Sequence, residues 1–218
     1  MYAQYFEQGI LELQKSRRDH VMTATALMHG ILTDTRGFTR AGLEDFEAAG
    51  FLSGFSDDDL LEQIMSQARS KQAMEVIRRA LGDRVIVESF SIAGIGYLRQ
   101  EDRDAIPQAT DFLVSEENVH TAIVYGVVTA SDRNGEEKLV GSLRTTKITM
   151  DPDEFIKEAF GTNASGAYFG GGKVSAGGFE VPLGFLAGDS GPDYQDLKWQ
   201  VYDMQIKQKI FAKIGVKN

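Results

Sequence analysis

The chain has 218 residues, 42% of them hydrophobic and 25% charged, with a formal net charge of −9 at pH 7. That is apolar material for one large or two small cores, and too much for a disordered chain. The absence of cysteine excludes disulfides, thiolate metal sites and cysteine nucleophiles, while the negative balance argues against broad attraction to long nucleic acid.

Three histidines, His20, His29 and His120, are too few for a histidine-rich metal centre, so carboxylates would dominate any metal site. No 18-residue apolar run is present, so no membrane span is expected. The opening residues lack the basic start and apolar stretch of a secretory signal, and a cytoplasmic protein is the expectation.

In chain order, residues 4–28 hold few helix breakers and read as helix, followed by a turn-rich segment at Thr33–Gly37. Gly42 to Ala49 suits a short helix that Gly50 would end. Ser56 is placed as an N-cap, with Asp57, Asp58 and Asp59 in the positive first turn and Phe55 set to staple against Leu60. The apolar stripe of Leu60, Leu61, Ile64 and Met65 leads into helix that runs, with a break, to Leu81, and Gly82-Asp83 closes it.

The pattern then changes. Val85-Ile86-Val87 opens a strand reaching about Ile92, whose end Gly94 and Gly96 loosen. Residues 102–114 read as a helix with Pro107 in its first turn. Residues 121–130 and 138–146 read as strands joined by Asp132-Arg133-Asn134-Gly135, and Asn-Gly between two such runs signals a hairpin. Asp151-Pro152-Asp153 starts a helix that Gly161 ends. A glycine-rich loop and a long amphipathic helix near 193–213 follow. The chain is thus expected to be all-α over residues 1–82 and α/β over 85–218.

Three segments carry candidate chemistry. The most unusual is Gly170-Gly171-Gly172-Lys173-Val174-Ser175-Ala176-Gly177-Gly178, between Phe169 and Phe179. Glycine at this density implies backbone shapes or approaches that a Cβ would block. Bare N–H groups beside a cation and Ser175 suit a phosphate or carboxylate; the plainer alternative is a surface loop. It is no Walker A loop, because Ala167 stands where the first glycine should be and Val174 follows the lysine. The second segment is Gly30–Phe38, where Asp34 lies between Thr33 and Thr35 after an apolar run. Such a carboxylate ligates a hard divalent ion or caps the next turn. The third is Gly141–Lys147: on a strand, Ser142, Arg144 and Thr146 share one face. That face is either a phosphate platform or a solvated surface.

Together, "ATALMHGILTDTRGFTR", "VGSLRTTK" and "FGGGKVSAGGF" resemble, in that order, segments of the DHH/DHHA1 phosphoesterases, specifically their nano-RNase and phosphoadenosine-phosphate phosphatase branch. The resemblance implies an α/β (α+β) chain. The helical C-terminal part of a DHH domain would precede a DHHA1-type domain with a mixed β-sheet flanked by helices. It implies Asp34 as a manganese ligand, and Ser142, Arg144, Gly170, Gly171, Gly172, Lys173 and Ser175 as substrate-binding. The implied reaction is manganese-dependent hydrolysis of a phosphoester in a short oligonucleotide or a nucleoside 3′,5′-bisphosphate. Two departures stand out. Lys173 replaces the histidine usual in that loop, which keeps a cation but no acid titrating near neutral pH. The Asp-x-Asp and Asp-His-His motifs are absent; Asp19-His20-Val21 is not the latter. The chain therefore resembles the C-terminal two-thirds of such an enzyme. Little hydrolysis by these residues alone is expected, no catalytic residue is assigned, and a homodimer formed over exposed helix faces is an expectation. A non-catalytic nucleotide-binding or regulatory module is the second reading.

Overall fold

The computed structural model of the chain describes residues 9, 12–66, 69–129, 136–184 and 192–216. It divides into two compact units, Met1–Ala68 and Arg69–Asn218. The boundary lies earlier than the expected 82–85, because the helix over 71–83 packs into the core of the second unit.

The first unit contains helices α1 (Arg18–Asp34), α2 (Leu43–Ser53) and α3 (Asp58–Met65) around a core of Ala24, Met28, Ala49 and Leu52. Among the described residues α1 starts at Arg18, and the chain before it is non-helical from residue 12, with the Gln14 amide donating to His20 Nδ1 at 3.1 Å. Gly50 does not end α2, which continues to Ser53 and stops at Gly54. Asp57 rather than Ser56 caps α3, its Oδ1 accepting from the Leu60 amide at 3.0 Å. The reason is a tether: the buried Thr25 hydroxyl accepts the Asp57 amide at 2.9 Å and fixes the residue where the helix begins.

The second unit is an α/β/α sandwich. Helix α4 (Lys71–Asp83) starts at Ser70, whose hydroxyl accepts the Ala73 amide at 3.1 Å. Six strands follow: β1 (Val85–Val87), β2 (Phe90–Arg99), β3 (Thr121–Thr129), β4 (Glu137–Thr145), β5 (Gly170–Lys173) and β6 (Ala176–Pro182). They form one mixed sheet in the order β1-β2-β3-β4-β6-β5, parallel only between β2 and β3. The expected single strand over 85–92 is two strands turning at Glu88-Ser89, both at positive φ. β2 continues through Gly94 and Gly96 to Arg99, shifting register between Gly94 and Tyr97. The Asn134-Gly135 turn lies outside the described residues, but β3 and β4 pair antiparallel as expected.

The parallel pair requires a crossover, supplied by α5 (Ala105–Leu113). Helices α4 and α5 cover one face through Val76, Ile77, Ile106 and Leu113, against Ala93, Val124 and Val140. Helices α6 (Pro152–Phe160) and α7 (Pro192–Ile214) cover the other through Phe155, Ile156, Ile206 and Ile210, against Ile92, Ile123, Leu139 and Leu143. Central strands covered on both sides read as continuous apolar runs, which is why every residue of β3 up to Val128 is buried. The sheet ends in short edges, β1 of 3 residues and β5 of 4.

Candidate functional site at the glycine hairpin

The glycine segment is a β-hairpin, not an irregular loop. β5 and β6 pair antiparallel through Gly170↔Phe179, Gly171↔Gly178, Gly172↔Gly177 and Lys173↔Ala176, turning at Val174-Ser175. A strand without side chains has no period-two pattern to read, so its sequence looks like a loop.

The glycines admit helix α6. Asp151 caps α6, its Oδ1 accepting the Asp153 amide at 2.8 Å; Pro152 occupies the first turn, and Gly161, at φ 74°, ends the helix. The first turn of α6 lies directly on the hairpin. A Cβ on Gly172 would come within 2.9 Å of the Asp153 nitrogen and of Pro152 Cβ, one on Gly171 within 2.6 Å of Asp153 Oδ1, and one on Gly177 would overlap Ile156. The amides are not all bare: Gly172 N–H donates to Asp153 Oδ1 at 3.0 Å. The other carboxylate oxygen of Asp153 pairs with Lys157 at 2.6 Å. Lys157 first, then the Gly172 amide, hold the Asp153 carboxyl below the usual carboxylate range.

On the opposite edge of β6 lies β4, paired Ser142↔Gly178 and Arg144↔Ala176. Directly opposed residues in antiparallel strands share a face, so Ser142, Arg144, Ala176 and Gly178 form a shelf on the side of α5. Arg144 is positioned by Asp111 of α5, with Nε to Oδ1 at 2.6 Å, and by Nη1 to Ser142 Oγ at 3.0 Å and to Leu143 O at 3.1 Å. None of these bonds uses Nη2. Gly178 is exposed, and a Cβ there would meet nothing closer than Gly141 O at 3.4 Å. The shelf is therefore open backbone between an oriented guanidinium and a hydroxyl.

Lys173 stands in register with Ala176, which faces Arg144, so one row crosses three strands. Strand spacing of about 4.8 Å separates the two cationic positions by about 10 Å. Lys173 is exposed, and its side chain makes no hydrogen bond or ion pair among the described residues. Ser175 lies in the turn, its carbonyl accepting from the Thr145 amide at 3.0 Å and tying the hairpin tip to the end of β4. Lys147 is exposed just beyond that end. Three cations thus collect at one end of the sheet of an acidic protein.

Beside them, Thr145 Oγ1 lies 2.8 Å from Thr121 Oγ1, which lies 2.8 Å from His120 Nδ1. Burial, then Lys147, lowers the His120 proton affinity.

The structure thus places Ser142 and Arg144 on β4 and Gly170, Gly171, Gly172 and Lys173 on β5, to either side of β6, with Ser175 in the hairpin turn. Asp34 belongs to the other unit. It is the exposed last residue of α1, and its side chain makes no hydrogen bond or ion pair among the described residues. Thr35, not Asp34, holds the following turn, accepting the Phe38 amide at 3.1 Å. Among the described residues no three histidine or carboxylate side chains cluster to hold a metal ion. The donor set around Asp34 therefore does not fit a two-metal centre, which needs several carboxylates or imidazoles. Asp111 and Asp153 were not legible as site residues. Asp111 meets Arg144 from 33 positions away, and only the register of α5 over β4 reveals it.

No protein-family model matches the sequence. The chain is 33% identical over 209 residues to an uncharacterized protein of Methanocaldococcus jannaschii, covering 95% of this chain and 39% of that protein. Among solved structures, an exopolyphosphatase-related protein from Bacteroides fragilis superimposes with a TM-score of 0.51 at 16% identity, over 87% of this chain and 51% of that one. A pGpG-specific phosphodiesterase from Vibrio cholerae aligns at 9% identity with a TM-score of 0.30, over 76% of this chain and 51% of that one. The chain thus spans well under two thirds of the relatives it matches, and it shares the mixed α/β fold of the exopolyphosphatase-related protein.

Proposed function

We propose that the second unit binds the phosphate of a short oligonucleotide or a nucleoside 3′,5′-bisphosphate on the shelf between β4 and the glycine hairpin. In this reading the chain is the substrate-binding portion of a metal-dependent phosphoesterase of the DHH/DHHA1 kind. The observation that carries it is the row Arg144–Ala176–Lys173, with an unpartnered lysine at one end and a guanidinium with Nη2 open at the other. A pre-oriented guanidinium loses little freedom on gripping a phosphate oxygen, and Lys173 supplies a point charge across the row. Gly178 lets the ligand approach backbone, and Ser142 positions Arg144 from below. The likeness to an exopolyphosphatase-related protein supports a phosphate-handling fold.

The second reading, a nucleotide-binding module without hydrolysis, is favoured by Asp34 having no companion ligands among the described residues. Asp34 supplies one carboxylate toward manganese, and no catalytic step is assigned to these residues.

Calorimetric titration with a dinucleotide and with adenosine 3′,5′-bisphosphate tests the site. Binding that weakens by roughly tenfold or more in Lys173→Ala and Arg144→Ala is expected, each removing a charge-assisted contact of about 1.5–3 kcal/mol. No binding by the unaltered chain overturns the site. Release of mononucleotides by the chain with manganese would overturn the second reading.

A further inference from the structure

Helices α6 and α7 share one face of the sheet, and between the C-terminal end of α6 and the middle of α7 lies a cavity of about 350 Å³. Its floor is Leu139 of β4 and Val181 of β6, which oppose each other in register and so point to the same face. Phe160, the last residue of α6, and Phe169 form one wall, and Tyr202 and Ile206 of α7 form another. Leu139, Phe160, Tyr202 and Ile206 are all buried. The Tyr202 hydroxyl is buried too, so polar recognition falls to Gln205 and Lys209, which line the cavity and are exposed.

The rim carries a single charge. Helix α7 has four lysines, and three are paired: Lys198 with Glu137 at 3.0 Å, Lys207 with Asp203 at 2.6 Å, and Lys213 with Glu158. Lys209 has no acidic residue three or four positions away along the helix. Its side chain makes no hydrogen bond or ion pair among the described residues. In a chain of net charge −9, the lysine left over stands beside an apolar cavity.

We infer that this cavity binds a small carboxylate with an apolar body, the body lying against Phe160, Phe169 and Ile206 and the carboxylate meeting Lys209. Small-molecule sites run from about 300 to 1,000 Å³, and a cavity near the lower end holds a short alkyl chain or a single aromatic ring. Burial of that body supplies the affinity. Lysine suits the rim because its stem covers apolar surface while the ammonium stays in water, so the carboxylate is gripped without full desolvation. The Gln205 amide offers a second donor beside it. The cavity lies on the α6 and α7 side of the sheet, whereas the shelf beside Arg144 lies on the side of α5, so the two sites are measured separately.

Titration calorimetry of the 218-residue chain with octanoate and phenylpropionate, below micelle-forming concentrations, tests this, with amide resonance mapping to locate the ligand. Octylammonium keeps the body and reverses the charge; acetate keeps the charge and lacks the body. Octanoate is expected to bind better than octylammonium by roughly fivefold, against the sign of the protein's net charge, and acetate not to bind. The perturbed amides are expected at Phe169, Leu183 and Lys209. Lys209→Met keeps the apolar stem and removes the preference for octanoate, and Lys209→Glu reverses it in favour of octylammonium. Val181→Trp fills the cavity from its floor and abolishes binding of both. Circular dichroism of each variant confirms that it is folded, and the two Lys209 variants, at an exposed position, test the site even where Val181→Trp does not fold. Absence of octanoate binding, a preference indifferent to Lys209→Met, or perturbed amides centred on Arg144 and Lys173 each overturns the site.

Discussion

β3 and the β5–β6 hairpin lie in one sheet and are held by opposite means. β3 is central and packs side chains on both faces: Ile123, Tyr125 and Val127 toward α6 and α7, Ala122, Val124 and Val128 toward α4 and α5. The hairpin is at the edge and is held by the absence of side chains, which lets the first turn of α6 rest on its backbone. Where a strand is clad, its residue types announce it. Where it is bare, glycine marks a contact whose other side is remote in sequence. The difference matters for function, because the bare strands leave the open backbone beside Arg144 that a ligand can approach.

The largest effect expected on the clad side is Ile123→Ala. Ile123 is 1% exposed, and its loss leaves a cavity in a strand that cannot collapse between two helical layers. A destabilisation of about 2–5 kcal/mol is expected by urea denaturation. A smaller loss on the same strand comes from Tyr125→Phe. The Tyr125 hydroxyl donates to Asp203 at 2.7 Å, and burial pushes the phenol's pKa up, so it stays a donor over the accessible pH range. Removing it costs about 1.5–3 kcal/mol, with Asp203 keeping Lys207 at 2.6 Å.

On the bare side, Gly170→Ala is the sharp test. Its Cβ would overlap the Gly178 carbonyl and sit 2.7 Å from the Phe179 Cα, so main chain must move. A loss of about 1–3 kcal/mol is expected. If Gly170→Ala melts with the wild type, the hairpin is not held by close approach and the contrast with β3 fails.

His120 links the two regions, at the start of β3 and beside the hairpin tip. Its folded pKa lies below the ordinary value of about 6.5. Between those two values the unfolded chain binds the extra proton, so stability falls as pH drops through the unfolded value. Denaturation of wild type and His120→Gln at pH 7.5 and 5.5 checks the sign. The variant is expected to lose less stability on acidification, and an equal or larger loss removes His120 as the cause.

Much of this architecture is legible from residues near one another in sequence. Asp151-Pro152-Asp153 caps its helix as the sequence states, Gly161 ends it, and Ser142 and Arg144 share a strand face. Errors arise where a distant group decides. Thr25 moves the α3 cap from Ser56 to Asp57, and α4 joins the sheet unit because its apolar face meets β2 and α5. The candidate site divides the same way. Its cations stand out by type, whereas Asp111 and Asp153, which set the orientation of Arg144 and the fit of α6, carry no local mark.

The smallest expected effect concerns Gly178, the one glycine of the hairpin that close packing does not demand. Its nearest neighbour to an added methyl is Gly141 O at 3.4 Å, and it is exposed on the shelf beside Arg144. Gly178→Ala should therefore change stability by no more than about 0.5 kcal/mol, as surface substitutions do. The same methyl projects onto the proposed ligand surface, so dinucleotide affinity should fall while the melting curve stays in place. Gly170→Ala gives the reverse ordering, with stability lost first. If Gly178→Ala leaves both quantities unchanged, ligand does not lie against this backbone, and binding is confined to the tips of Lys173 and Arg144.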